Sequence, residues 1–318
     1  MMRRAFALLL SLLLLAPISY GWNGFGHMAV AYVAYQHLEP QVRARADKLL
    51  RLNPLYATWK KQLPAGLTTE QQNTMLFMIA ATWPDQIRGD KSYHADGPEG
   101  GNRPPAIGGD ENIGYSDKAL HKYWHFVDTP ISQDGTLIQP TPSPNAETQV
   151  KAFTEAIATR ESNDRKSYDM VWLMHLVGDV HQPLHTTGRF SKDLPDGDSG
   201  GNFVLINTPA CKDNPASELH ALWDDAIGTS NDPQAVIAVA SALPPQTVAA
   251  GDQDVYVWLS ESVKLAQTKA YVAPVGDGKG PFTIDQAYCE QMRGVAEQRV
   301  VQAGMRLANL LNASLKAK

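Results

Sequence analysis

A chain of 318 residues with 43% hydrophobic and 19% charged residues has the composition of an ordinary globular protein, and it is long enough to bury a large core. Its formal charge of −5 excludes a broad basic surface that holds nucleic acid by charge alone, although bound cations would reverse the sign locally. Two cysteines exclude a small disulfide-dense scaffold.

Residues 1–21 read as a secretory signal peptide. Met1 to Arg4 is short and basic, residues 5–18 are almost wholly apolar, and Ser19-Tyr20-Gly21 places small residues at −3 and −1, so cleavage is expected after Gly21. An apolar run of about 14 residues is short for a bilayer span, which argues against a membrane anchor. The exported chain would begin at Trp22, carry a formal charge of −7 and reside in a periplasm or the medium, with no membrane contact.

Helical signals dominate the rest of the chain. Apolar residues recur at helical spacing over 25–38, 40–51, 69–82, 145–160, 167–182, 216–227, 233–242, 253–270 and 284–312. Asn145 and Asp232 are expected N-caps, the latter with Pro233 at the first helical position, and Pro183 should end or kink the helix before it. Glycine and proline gather in three long connections, near 88–116, 129–144 and 188–201, a length usually associated with function or mobility. NFVLI at 202–206 reads as one short strand or hairpin arm. The expectation is a single mostly helical, all-α domain over 22–318 with at most a short β-hairpin. Cys211 and Cys289 are expected to pair in an oxidising compartment, the alternative being two buried thiols.

The chemistry lies in the histidines and aspartates. His175 and Asp179 are four apart, His185 follows six later, and His220 and Asp224 are again four apart. A separation of four stacks two side chains on one helix face, so each pair can aim at one ion, and imidazole with carboxylate suits zinc. Taken singly, each has a plainer reading: a hydrogen-bonded core histidine, a paired buried carboxylate, a helix cap or a surface ion pair. Asp85 in ATWPDQIR, with Trp83 and Pro84 beside it, and His125 in YWHFVDTP, with His121 one helical turn before it, are further candidates. His27 lies five residues after Trp22, whose freed α-amine and carbonyl would chelate zinc in a five-membered ring.

Trp22…His27, Asp85, His125, His175-x3-Asp179-x5-His185 and His220-x3-Asp224 together resemble the nine-ligand trinuclear zinc site of the S1/P1 nucleases. The resemblance implies the all-α fold shared with zinc-dependent phospholipase C. It implies one zinc on Asp85, His125 and His175, a second on His185, His220 and Asp224, and a third on Trp22 and His27, with Asp179 bridging the first and third. It further implies hydrolysis of single-stranded DNA and RNA to 5′-phosphate products, with action on 3′-mononucleotides left open; a monomer is the default expectation for a secreted hydrolase. Arg88 matches a position where some relatives place a cation over the phosphoryl oxygens. Phe126 and Asp128 resemble a nucleobase pocket, although Phe126 packed in the core and Asp128 orienting a ligand histidine is the rival reading. Asn202 in DSGGN is expected near the metals. Two other functions stay open at this stage, a zinc phospholipase C and a non-catalytic zinc-binding protein. Asp224, where the lipases of that branch usually carry glutamate, argues against the first, and open coordination positions argue against the second.

Overall fold

The computed structural model describes residues 21–159, 161–247 and 252–316; residues 1–20, the body of the expected signal peptide, lie outside the described residues. The helices are α1 (Gly24–His37), α2 (Pro40–Leu50), α3 (Tyr56–Lys60), α4 (Thr69–Ala80), α5 (Trp83–Gln86), α6 (Pro98–Gly101), α7 (Ala146–Ala158), α8 (Asn163–Asp179), α9 (Leu219–Asp224), α10 (Pro233–Ala240), α11 (Val255–Leu265) and α12 (Gln286–Ser314). The start signals work as expected: Asn145 accepts from the backbone of Glu147 and Thr148, and Asp232 accepts from Gln234.

Two helices form the centre. Helix α8 is buried from Ser167 to Asp179 and α1 from Phe25 to Tyr35 with one break, which is why both read as nearly unbroken apolar runs. Helix α12 packs along α1 and α7 along α8. The α1–α12 approach is close enough that a Cβ on Gly304 would lie 2.5 Å from Cβ of Val33. One hydrophobic cluster reaches from Trp22 to Leu315, and Cys211 and Cys289 are disulfide-bonded with their Cα atoms 5.7 Å apart.

The departures from expectation have local causes. There is no β-hairpin among the described residues: β1 (Thr129–Ser132) pairs in parallel with β2 (Thr187–Phe190), and β3 (Ile206–Asn207) with β4 (Phe282–Thr283), so each strand finds a partner far along the chain. NFVLI contributes only its last residue to a strand. The helix expected over 216–227 shrinks to α9, because Ile206 N–H donates to Ser217 O and Leu219 N–H to Val204 O, which holds Ser217 and Glu218 out of the helix. Helix α11 ends early in a π-helical turn over Ala266–Ala270. His121 is not one helical turn before His125: it sits at φ 44°, and only Lys122–Trp124 forms a 3-10 turn. Its ring lies 2.7 Å from Asp96 and 2.9 Å from Asp117 and stacks on Trp124.

The segment that matters most behaves as its proline predicts. Helix α8 stops at Asp179, and Pro183–Thr186 forms a 3-10 turn that runs directly into β2. His185 is thereby turned back towards the end of α8.

Candidate metal centre and adjoining cavity

Eight side chains from six segments meet at the C-terminal end of α8. Helix α1 supplies His27, α5 supplies Asp85, His125 follows the 3-10 turn, α8 supplies His175 and Asp179, the next 3-10 turn supplies His185, and α9 supplies His220 and Asp224. Three groups have ligand atoms close enough to hold an ion: His27, Asp85 and His175; His125, His175 and Asp179; and His185, His220 and Asp224.

Asp179 divides its two oxygens. Oδ2 lies 3.2 Å from His125 Nδ1 and 3.3 Å from His175 Nε2, whereas Oδ1 lies 3.4 Å from His27 Nε2 and 3.8 Å from His185 Nδ1. Asp85 repeats the pattern, with Oδ1 3.7 Å from His125 and 3.8 Å from His175 and Oδ2 3.9 Å from His27. Two carboxylates therefore each face imidazoles through both oxygens, Asp179 at the shorter distances.

Backbone carbonyls decide which imidazole nitrogens are available. His175 Nδ1 donates to Ala81 O at 2.8 Å, His185 Nδ1 to His125 O at 2.9 Å, and His220 Nδ1 to Gly200 O at 2.7 Å. A carbonyl can only accept, so Nε2 of each ring is left with its lone pair directed into the site. Gln182 donates to Asp224 Oδ1 at 2.7 Å and orients that carboxylate. His27 is held by shape instead, since a Cβ on Gly178 would lie 2.9 Å from its Nδ1.

The electrostatics are those of a site short of positive charge. Burial lowers His27 and His175 to about 4 and holds His125 well below the ordinary histidine range, so all three are neutral and fit to ligate. Burial raises Asp179 to about 6 and Asp224 well above the usual carboxylate range. Both oxygens of Asp179, Oδ1 of Asp85 and both nitrogens of His27 are buried without a hydrogen-bond partner. Several orphaned acceptors in one buried place are costly unless a cation takes them up, and nitrogen with carboxylate oxygen is a donor set that suits zinc.

Trp22 is fully buried, and its indole donates to Gly178 O at 3.0 Å. A Cβ on Gly21 would lie 1.9 Å from Asp179 Oδ1 and 3.0 Å from His27 Nε2, so the backbone at Trp22 reaches the same pair of side chains. Behind His125 and His175, Trp83 makes edge contacts with Trp172, Tyr115 and Tyr168, forming the stiff apolar wall that WPD suggests.

The metal groups open on one side to a cavity of about 420 Å³ into which His125, His185 and His220 face. Arg88, Phe126, Asp128 and Asn202 all line it. Arg88 Nη2 is 3.4 Å from Asp85 Oδ1, and its side chain is only 6% exposed. Asn202 donates to Ser199 O at 2.7 Å and stands on the cavity wall rather than among the metal groups. Each of the three long connections contributes to the wall, through Arg103, Gln139 and Gly200 among others.

Sequence reasoning passed over several contributors. Gln182 was within reach, three residues after Asp179 and inside the same motif. His181 is fully buried and accepts from Arg306 at 2.9 Å, while Arg299 donates to His181 O at 3.1 Å and Ser262 to Val180 O at 2.7 Å. Helix α12, which reads as packing alone, thus holds the turn after Asp179 from behind. Two arginines seven apart on a buried helix face were its signal. Arg103, Lys122, Phe190 and Phe203 line the cavity and carried no motif.

A helical fold with a chain of buried His/Asp groups beside an open cavity defines the class of metal-dependent hydrolases. The comparison with known families is specific: residues 22–316 match the profile of the S1/P1 nuclease family. This chain belongs to that family, whose members are metal-dependent hydrolases acting on phosphodiester bonds. Endonuclease 4 of Arabidopsis thaliana is 24% identical over 100% of this chain and 97% of its own length. Endonuclease 5 of the same plant is 30% identical, over 47% of this chain and 51% of that relative. Nuclease S1 of Aspergillus oryzae is 22% identical over 67% of this chain and 56% of its own length. The family separates the nuclease reading from the phospholipase and non-catalytic alternatives. Among the described residues no helix is long and apolar enough to cross a membrane.

Proposed function

We propose that the chain is an exported zinc endonuclease that cleaves single-stranded DNA and RNA to products ending in 5′-phosphate. The observation that carries this reading is the division of Asp179 between His125 and His175 on one oxygen and His27 on the other. That division supports the ligand sets of a three-ion site, with Asp85, His125 and His175 around one ion, His185, His220 and Asp224 around another, and His27 with the main chain of Trp22 around the third.

Bound zinc would supply Lewis acidity toward phosphoryl oxygens and make water a nucleophile near neutral pH. The protein's own groups do the rest. Arg88, tied to Asp85, is placed at the cavity to pair with phosphoryl oxygens whose charge grows in the transition state. Phe126 offers a ring for a base to stack on, and Asp128 accepts from base N–H groups. Asn202 forms part of the wall beside His220. Stacking tolerates any base, so broad specificity is expected.

The test is hydrolysis of single-stranded DNA and RNA oligonucleotides by the mature protein, after chelation and again after zinc return, with analysis of the new ends. Loss, recovery and 5′-phosphate ends are expected. No cleavage in the zinc-replete protein would refute the reading.

A further inference from the structure

The cavity beside the metal groups carries three cationic side chains, Arg88, Arg103 and Lys122. They are not equivalent. Arg88 is committed to Asp85 at the metal end, and Arg103 pairs with the exposed Glu99 at 2.8 Å. Lys122 has no carboxylate within ion-pair distance among the described residues; its ammonium donates only to Gly100 O, at 3.0 Å. Partial burial and the nearby charge of Arg88 work against its protonation, and the carboxylate of Asp96, beyond ion-pair distance, supports it. Three cationic groups lining one cavity, one of them a lysine with no carboxylate in ion-pair contact, make a favourable place for an anion.

Its position selects the anion. Lys122 stands three residues before His125, on the short 3-10 turn that sets that ring, and Arg103 follows α6 in the neighbouring loop. Both face the cavity that His125, His185 and His220 enter, yet neither belongs to a group that could hold a metal. A polynucleotide lying with one phosphodiester at the metals must place its next phosphate somewhere along this wall.

We propose that Lys122 and Arg103 form a second phosphate subsite, which binds the phosphodiester adjacent to the one cleaved. The subsite rests on the nuclease reading. It makes the substrate at least a trinucleotide for full affinity and sets longer single strands above a dinucleoside monophosphate, which has only one phosphate to offer. The exposed Glu99 partner of Arg103 gives way to the phosphate at little cost, since exposed pairs contribute little.

The test compares parent, K122Q, K122R and R103Q on two substrates, a single-stranded oligothymidylate and thymidylyl-thymidine. K122Q should raise KM for the oligomer by roughly tenfold, with kcat unchanged, and leave both constants for thymidylyl-thymidine at the parent value. The slope of log KM against log salt should become shallower by about 0.7 for the oligomer. K122R should restore most of the affinity, and R103Q should repeat the K122Q pattern more weakly. Equal losses on the two substrates, or none on either, would overturn the subsite. Binding of a fluorescent oligothymidylate to the same proteins, read by anisotropy, needs no cleavage. It tests the subsite even where the parent hydrolyses nothing, an outcome that would refute the nuclease reading instead.

Discussion

The carbonyl of Gly200 accepts from Nδ1 of His220 at 2.7 Å, and this one contact turns Nε2 of His220 toward His185 and Asp224. Gly200 has a φ of 62°, and a Cβ there would stand 2.4 Å from Leu184 O and 3.2 Å from His220 Nδ1. Gly200→Ala is therefore expected to move the loop off the imidazole and weaken zinc at the His185, His220 and Asp224 group by about 10- to 100-fold. Metal content after dialysis against a weak chelator, with far-UV circular dichroism unchanged, checks this. Parent-like retention of every ion would contradict it.

Asp179→Asn keeps the shape of the side chain and removes the charge that two histidine sets share. Hydrolysis should vanish and the protein should lose two ions rather than one, because both oxygens face metal groups. The metal-free variant should nevertheless be at least as stable as metal-free parent at pH 8, since it no longer buries an uncompensated carboxylate. Calorimetry in chelator reads the stability and atomic emission the ions. A variant that keeps phosphodiesterase activity would sink the bridging role.

Acidification should act on the metal and on the empty fold in separable ways. Below about pH 6, Asp179 carries a proton that zinc must displace, so affinity should fall by up to about tenfold per pH unit as pH drops through that value. In the metal-free protein, His27 and His175 are depressed from 6.5 to about 4, so their contribution to stability is complete above pH 6.5 and is lost as pH falls toward 4. Asp179 is raised from 3.8 to about 6, and its contribution runs the opposite way, greatest below pH 4 and lost as pH rises through 6. Asp224 and Asp128, also raised by burial, act in the same direction as Asp179, so the rings are read by difference. Between pH 6.5 and 4.5 the metal-free parent should lose more Tm, or gain less, than metal-free His175→Gln, and identical pH dependence in the two would show that this ring is not buried neutral.

The proposed base pocket has its own pH signature. Burial, with the carboxylate of Asp198 nearby, pushes Asp128 up to about 6. It is ionised, and able to accept from base N–H groups, only above that value. KM for oligonucleotides should therefore rise as pH falls through 6 in the parent and stay level in Asp128→Asn. Phe126→Ala should raise KM by roughly five- to tenfold without base preference. Steady-state kinetics on homopolymeric single strands would reveal either failure.

The disulfide closes 78 residues of chain between the end of the β3 loop and α12. Replacing both cysteines with serine should lower unfolding free energy by about 4 kcal/mol in the chain-entropy account. Denaturant titration with zinc present measures it. Activity per folded molecule should not change, since neither sulfur approaches the metal groups.

The features that the chain alone determined depend on local rules. Helical periodicity, proline at 183 and four-residue spacing on α8 and α9 involve only near neighbours, so His175 with Asp179 and His220 with Asp224 were legible as pairs, and Asn145 and Asp232 as caps. Other features had no local signature. That Asp179 turns its two oxygens to different histidines, that Ala81, His125 and Gly200 lend the carbonyls that set the rings, and that Arg299 grips the turn from 118 residues away are consequences of packing. The same holds for the strands: β1 meets β2 across more than fifty residues, where hairpin reasoning looks only at adjacent chain. Residue types and spacing can nominate ligands, because ligand chemistry belongs to the side chain. Which atom of each ligand faces the ion belongs to the backbone around it, and only the assembled core decides that.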